Sequence, residues 1–412
     1  MNKKIHVCIL ISGLVFDTPY GEEKFTNSFT TWLANHGHDV TLIGRAGLCN
    51  TKFKHLSSDA IDNQAKNIHS EIKQKKQVLG PRYLAYALRP IISILFIFKV
   101  LSINRKYPVD LIHAQDTGYA GFAAIVLSKL LKKPSILSSH GIRHKILEAN
   151  VPSVLKKYGF IKFEYNLDIF NIRNADIVIA DSPHIKKYLE LQTGREIEFI
   201  PNPINVRDFN YSTLNSKLIK NELGIDEKTK VIGYVGRLTE EKNLFTLLFS
   251  FIEMTEKTPF IKLVIVGDGP IRNQLEKVVD ENAIKDRVIF CGLRRDVEQI
   301  ISCFDIFVLP SYTEGWSTAL LESMACGRAI VCSDIEANGE MVTPDKEALF
   351  ANPYNQSEFT EAIRLLCDDD SLRSRLGTNA RIKANKYDSE IIFPQFVKFY
   401  EKIEKSKKQK SF

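Results

Sequence analysis

Apolar runs of strand length recur along the chain, and most are followed by an amphipathic stretch of helical length. Lys4–Ile11 reads as a buried parallel strand, and a helix from about Glu23 to His36 follows, stopped by Gly37. Asp39–Gly44 is the next strand, so the first 44 residues predict a βαβ unit with a glycine-bearing loop. The same alternation predicts strands at Asp110–Gln115 and Ser135–Ser139, with a helix from Gly121 to Leu131 between them, and a buried strand and turn over Asn174–Ser182. A second series begins near Val231 and continues through Lys262–Val266, Val288–Leu293, Phe304–Leu309 and Ala329–Ser333. Strands alternating with helices predict an α/β protein with parallel sheets, and 412 residues suggest two or three domains.

The other segments carry weaker patterns. Residues 51–80 are polar and lysine-rich, and predict a mobile loop or an insertion. Leu84 to Ile103 is strongly apolar, with Pro90 as a helix start. Phe199–Asn205 carries two prolines, which suits a stiff crossover between domains. Ile391 to Ile403 predicts a last helix, and Lys405–Lys410 a basic tail without fixed structure.

The chain is organised around Pro310–Gly327. Pro310 ends the apolar run Phe304–Leu309, a loop carries Glu314 and Gly315, and Ser317 or Thr318 can cap a helix that begins near Ala319. In an open α/β sheet, ligands sit beyond the carboxyl ends of the strands. The N–H groups of a first helical turn attract an anion such as a phosphate, and glycine lets backbone approach it.

Glu314 and Glu322 flank this turn. A hydrolase acid and nucleophile pair needs carboxyls roughly 5 to 9.5 Å apart. Eight residues of regular helix would separate them by about 12 Å, which leans toward recognition of hydroxyls on one elongated ligand. Equally, Glu322 could be a helix-start acid favoured by the dipole and Glu314 a solvated loop residue.

Glu-Gly-x5-Leu-Leu-Glu-Ser-Met-Ala-x-Gly resembles the signature of the retaining GT-B glycosyltransferases of family 4, the glycogen-synthase-like "glycosyl transferases group 1". The resemblance runs through nearly the whole chain. It implies two Rossmann-like domains facing across a cleft: an acceptor-side domain over 1–205, a nucleotide-sugar-binding domain over 206–386, and a helix over 387–412 that crosses back to the first. By position, Glu314 would contact the donor sugar and Glu322 the nucleotide ribose, with Gly315, Trp316, Ser317 and Thr318 lining the donor site. Gly236-Arg237-Leu238 and Lys242-Asn243 match the block whose Arg and Lys hold the donor diphosphate. The chemistry needs such cations, because a departing diphosphate gains negative charge.

Further matches assign Gly21 to the phosphate- or acceptor-facing loop, with Tyr20 replacing the family's first glycine. They also assign His140 to the donor sugar and Leu293 and Arg294 to the nucleotide base region, and place the turn Asn338-Gly339-Glu340 near the donor. The glycines of Gly267-Asp268-Gly269 suit either a ligand contact or a tight strand-to-helix turn. Spacing alone gives metal sites little support. His140 and His144 lack a third ligand, and Asp368-Asp369-Asp370 reads better as helix-start acid. No cofactor or metal is expected.

Composition is ordinary for a soluble globular protein, with 44% hydrophobic and 25% charged residues. Seven scattered cysteines without a Cys-x-x-Cys pair read as small core residues of a reducing compartment. No apolar run reaches a bilayer span, and the amino-terminal run is too short for a signal peptide. The net charge of +7 is uneven: 27 Lys/Arg against 17 Asp/Glu give +10 over 1–205, which leaves −3 for the rest. Residues 51–106, with 11 Lys/Arg against three acids, and the apolar run Ile91–Leu101 suggest docking on an anionic membrane face; the bland alternative is a buried helix with solvated lysines.

The expected enzyme is a cytoplasmic, peripherally membrane-bound hexosyltransferase. It would move a sugar from a nucleotide diphosphate sugar, UDP favoured, to a glycan or lipid-linked acceptor with retention, in surface polysaccharide assembly. No nucleic acid partner is expected. The alternatives are a retaining sugar synthase or phosphorylase with a small acceptor, and a non-catalytic nucleotide-sugar scaffold. Intact Glu314, Glu322, Arg237 and Lys242 weigh against the scaffold.

Overall fold

The computed structural model describes residues 4–12, 21–44, 51–53, 89–142, 159–209, 213–256 and 258–410. The chain divides into two compact units, Met1–Pro201 with Phe393–Phe412, and Asn202–Ile392.

The first unit holds strands β1 (His6–Ile11), β2 (Asp39–Gly44), β3 (Thr51–Phe53), β4 (Leu111–Ala114), β5 (Ser135–Ser139), β6 (Ile177–Ala180) and β7 (Glu198–Phe199). Their order is β3-β2-β1-β4-β5-β6-β7, parallel except for β3, which pairs antiparallel with β2. Thr51–Phe53 is therefore strand where the sequence pattern suggested loop; the rest of 51–80 lies outside the described residues. β1 and β5 are buried at every position, as strands covered on both faces must be.

The second unit holds β8 (Lys230–Val235), β9 (Ile261–Val266), β10 (Val288–Gly292), β11 (Ile306–Leu309), β12 (Ala329–Ser333) and β13 (Leu349–Ala351). All are parallel, in the order β10-β9-β8-β11-β12-β13. Counted from its own first strand, each sheet begins 3-2-1-4-5-6, the doubly wound order. The order reverses between β1 and β4 in one unit and between β8 and β11 in the other. In sheets of this order, ligands bind beyond the strand carboxyl ends at such switch points.

The last helix, Ser389–Lys410, begins in the second unit and packs on the first. Phe393 and Phe396 lie against Phe25 and Phe29 of helix Gly21–Asn35. Tyr400 meets His113 of β4 at 2.7 Å, and the other ring nitrogen of His113 meets the Ser138 hydroxyl at 2.8 Å. Complete burial, more than the nearby His140, pushes the His113 pKa down to about 3, so the ring is neutral. The helix runs through Lys410, which corrects the expectation of an unstructured basic tail.

Cys8, Cys303, Cys326, Cys332 and Cys367 are buried and unbridged, and Cys49 lies outside the described residues. Burial pushes the Cys8 thiol up to about 12, consistent with a small core residue.

Candidate functional site

The loops after β8 and β11 carry most of the chemistry read from sequence. After β8, Gly236 and Arg237 lead to a short 3-10 turn, Glu240–Lys242, and Asn243 adopts a left-handed conformation with φ 53°. From there the Asn243 side chain donates to the carbonyls of Pro310 at 3.0 Å and Pro353 at 2.8 Å. One amide thus clamps the β8, β11 and β13 loops together. Tyr312 N–H donates to the Glu241 carbonyl at 2.9 Å and strengthens the same junction.

This clamp brings Lys242 and Glu314 together. The ammonium lies 2.8 Å from each carboxylate oxygen, with side chains 15% and 7% exposed. Each charge is thereby compensated, because an unpaired charge so buried would be costly. Arg237 is more open, at 40%, and pairs with Glu241 at 3.2 Å. The Tyr234 hydroxyl beneath it donates to the Arg237 carbonyl at 3.0 Å. Burial, with the Glu314 charge adding, raises the Tyr234 pKa well above its ordinary value, so it stays a neutral donor.

Helix Thr318–Ala325 starts as its sequence requires. The Ser317 hydroxyl accepts from Leu320 N–H at 3.3 Å, which makes Ser317 the cap and Thr318 the first helical residue. Glu322 is the fifth residue of this helix, past its first turn, and is buried at 4% exposure, which departs from the reading of a helix-start acid. The Trp316 indole packs into the core of the second unit, donates to the Asn202 carbonyl at 3.1 Å and meets Tyr387 edge-on. Its side chain braces the loop, and only its backbone remains to line a ligand.

Other sequence-derived candidates have structural employment. Arg294 binds Asp296 through two nitrogens and Glu222 through a third, and these bonds raise its pKa further. Leu293 beside it is 55% exposed. A Cβ on Gly267 would overlap the Gly236 carbonyl oxygen, and one on Gly269 that of Leu238. These glycines therefore let the β8 and β9 loops touch. Asn338 is buried and donates to the Ser333 carbonyl at 2.8 Å. Asp369 caps helix Asp370–Ala384, while Asp370 pairs with Lys230 and Arg373, as expected of helix-start acids. Among the described residues, no three His, Cys, Asp or Glu form a metal cluster.

In the first unit, His140 follows β5 and is flanked by groups at the ends of β4 and β6. Its Nε2 lies 3.2 Å from Gln115 and its Nδ1 3.4 Å from Asp181, both buried, and Phe25 covers the ring at 5.2 Å. Gly21 opens helix Gly21–Asn35. Tyr20 and His144 lie outside the described residues.

Sequence reasoning missed Tyr234, Glu241, Gln115 and Asp181, and gave Asn243 no role. Their shared signal is position: each is in or just beyond the carboxyl end of a strand whose neighbour carries a named candidate.

A pair of doubly wound sheets with cations and a capped helix at a switch point defines a class: α/β proteins that bind an anionic, nucleotide-like ligand. Comparison narrows it. The description "Glycosyltransferase Family 4" matches residues 20–208, and "Glycosyl transferases group 1" matches residues 215–383. The chain belongs to the family 4, group 1 glycosyltransferases and is a transferase with the GT-B fold.

The chain is 27% identical over 352 residues to the Campylobacter jejuni N,N'-diacetylbacillosaminyl-diphospho-undecaprenol alpha-1,3-N-acetylgalactosaminyltransferase, covering 82% of this chain and 90% of that one. It is also 27% identical to the Streptococcus pneumoniae alpha-monoglucosyldiacylglycerol synthase, over 57% of this chain and 54% of that protein. In structure it resembles Anabaena HepE, solved in complex with UDP, with TM-score 0.72 at 18% identity over 97% of this chain and 100% of that one. A sucrose-phosphate synthase from Thermosynechococcus elongatus gives TM-score 0.77 at 20% identity over 97% and 99%. At these identities the structural likeness concerns the fold.

Proposed function

We propose that this enzyme transfers a hexosyl-type sugar from a nucleotide diphosphate sugar, UDP favoured, to a glycan or lipid-linked acceptor, with retention of configuration. The observation that carries this reading is the meeting of Lys242, Glu314 and the capped Ser317 turn beside Arg237 at the β8–β11 switch point. As the bond from the anomeric carbon to the diphosphate oxygen breaks, negative charge grows on the leaving phosphate. Arg237, Lys242 and the first-turn N–H groups offset it. The acceptor hydroxyl attacks the same face of the sugar, and its proton passes to the departing phosphate. The products are the glycoside and the nucleoside diphosphate, so atoms and charge balance with no enzyme nucleophile.

Glu314 accepts hydrogen bonds from the donor sugar and Glu322 from the ribose, while the Leu293–Arg294 loop lies by the base through the Leu293 side chain and its backbone. Gly315, Thr318 and the Trp316 backbone complete the donor site. In the first unit, His140 contacts the transferred sugar and Gly21 faces donor phosphate or acceptor. A diphosphate competes with Glu314 for Lys242, so donor arrival loosens that ion pair and turns Glu314 toward the sugar.

The enzyme works at the cytoplasmic face of a membrane, in surface glycan assembly. The undecaprenol and diacylglycerol in the names of the two relatives support a lipid-linked acceptor.

A thermal-shift screen of nucleoside diphosphates and nucleotide sugars tests the donor class. At 100 times Kd a true ligand stabilises by about 2.7 kcal/mol. UDP and a UDP-sugar should raise Tm; an unchanged Tm with every nucleotide would end the proposal. Slow donor hydrolysis separates an enzyme from a scaffold. Single-turnover transfer should persist in EDTA, because Arg237 and Lys242 already meet the phosphates. Rate loss restored by Mg²⁺ or Mn²⁺ would contradict the metal-free site.

A further inference from the structure

Three helices lie side by side on one face of the first sheet: Arg89–Lys106, Tyr119–Leu131 and Phe160–Asn174. Their inward sides are ordinary core, with Phe96, Val100 and Ile103 buried from the first of them. Their outward side is unusual. Ile91, Ile94, Leu95 and Phe98 stand at i, i+3, i+4 and i+7 of one helix and are all exposed, Phe98 at 68%. Phe163 and Phe170 are exposed on the third helix, and Phe170 meets Phe122 of the middle one at 6.4 Å.

The outward charges on this layer have one sign. The two outer helices carry Lys99, Arg105, Lys106, Lys162 and Arg173, and the middle one Lys129. The three helices contain two carboxylates, Glu164 and Asp168, and both are buried. Glu164 accepts from the Tyr119 hydroxyl at 2.9 Å and Asp168 from the Thr117 hydroxyl at 3.1 Å. Among the described residues, the outward face of this layer is therefore apolar and cationic with no acid.

We propose that this three-helix face docks on an anionic lipid bilayer, with Ile94, Phe98, Phe163 and Phe170 entering the headgroup boundary and the lysines and arginines meeting lipid phosphates. The proposal deepens the membrane partner named above and rests on that reading. Charge decides the occupant. A second copy of the chain would set cation against cation across a two-fold interface, whereas an anionic surface complements every charge present. Apolar area plus several cations gives reversible surface binding, and no described helix is long and apolar enough to cross a membrane.

The test is co-sedimentation of the full chain, without donor or acceptor, with phosphatidylglycerol-containing and with neutral phosphatidylcholine vesicles, at low and high salt. The protein should pellet with the anionic vesicles at low salt and be released by high salt. Ile94→Ser with Phe98→Ser, and separately Lys162→Glu with Arg173→Glu, should each lower partitioning at least on the order of tenfold. Phe260→Ser, at a 67% exposed site of the second unit, should leave it unchanged. Circular dichroism checks folding, and if the serine variant unfolds the charge variant decides.

Protein that stays in the supernatant with anionic vesicles at low salt overturns the proposal, as do both variants binding like the parent. A dimer in ultracentrifugation that Phe98→Ser dissociates, without vesicle binding, would assign the face to a second copy instead. Transfer to a water-soluble acceptor should survive the charge substitutions, so failed docking and failed catalysis are read separately.

Discussion

The two units share a strand order and differ in how they spend charge. In the second, charges gather at the carboxyl ends of the strands and are paired: Lys242 with Glu314, Arg237 with Glu241. Its helices carry exposed acids among their bases, such as Glu253, Glu281, Glu358 and Glu361. In the first unit the strand ends hold His140 between Gln115 and Asp181, and three adjacent helices present cations without acids. On the two proposals above, one doubly wound scaffold would serve a site for an anionic small molecule in one case and a surface for an anionic sheet of lipid in the other. The two units share the strand order, so the difference lies in the placement of side-chain charge.

The largest effect that can break this comparison is at Lys242. Lys242→Ala should lower kcat/KM by on the order of a hundredfold through lost stabilisation of the leaving diphosphate. It should also destabilise the second unit by about 3 to 5 kcal/mol, because Glu314 is left buried and unpaired. Adding Glu314→Gln should restore much of the stability and none of the activity. Denaturant unfolding beside initial rates separates the two effects, and a single variant with unchanged kcat/KM would remove Lys242 from the site.

The next effect is confined to the first unit and is read by pH. His113 is neutral when folded, with its pKa lowered to about 3 from an ordinary value near 6.5. The unfolded chain therefore binds the proton first as pH falls. The stability that His113 contributes is complete above about 6.5 and is lost toward 3, with a slope of up to about 1.4 kcal/mol per pH unit. His113→Gln should flatten that slope in unfolding measured between pH 4 and 7; an unchanged slope would mean that the ring is not held neutral.

Arg237→Ala should be milder in stability than Lys242→Ala. Its pair with Glu241 is half open to solvent, so about 0 to 1 kcal/mol is at stake. Donor affinity should still fall, by about tenfold for one charged hydrogen-bond donor. Equal destabilisation by the two alanine variants would erase the distinction between a buried and an open cation. Ser317→Ala should cost about 1 kcal/mol as a lost helix cap, measurable as a small fall in Tm.

Sequence periodicity carried the fold well because buried parallel strands announce themselves as apolar runs, and β1, β5, β8 and β12 fall where those runs lie. β3 was missed because three residues in a lysine-rich stretch leave no period to read. Motif spacing brought Lys242, Glu314 and Ser317 to one place. It could not tell that the Trp316 indole points into the core, since an aromatic after a glycine reads the same whether it stacks on a ligand or on Tyr387. Nor could spacing tell that the Arg294 guanidinium is held by Asp296 and by Glu222, the latter distant in sequence and joined only by folding. The same limit hid Gln115 and Asp181, whose meeting with His140 depends on strand order.

The central claim is that the second unit binds the donor diphosphate through its cations while Glu314 and Glu322 divide sugar from ribose. Calorimetry with UDP alone tests it most directly, on the parent, Glu314→Gln and Glu322→Gln. Glu314→Gln should bind UDP as tightly as the parent or more tightly, because Lys242 loses its competing carboxylate, while turnover falls. Glu322→Gln should bind UDP more weakly. Equal loss of UDP affinity in both variants would contradict the account.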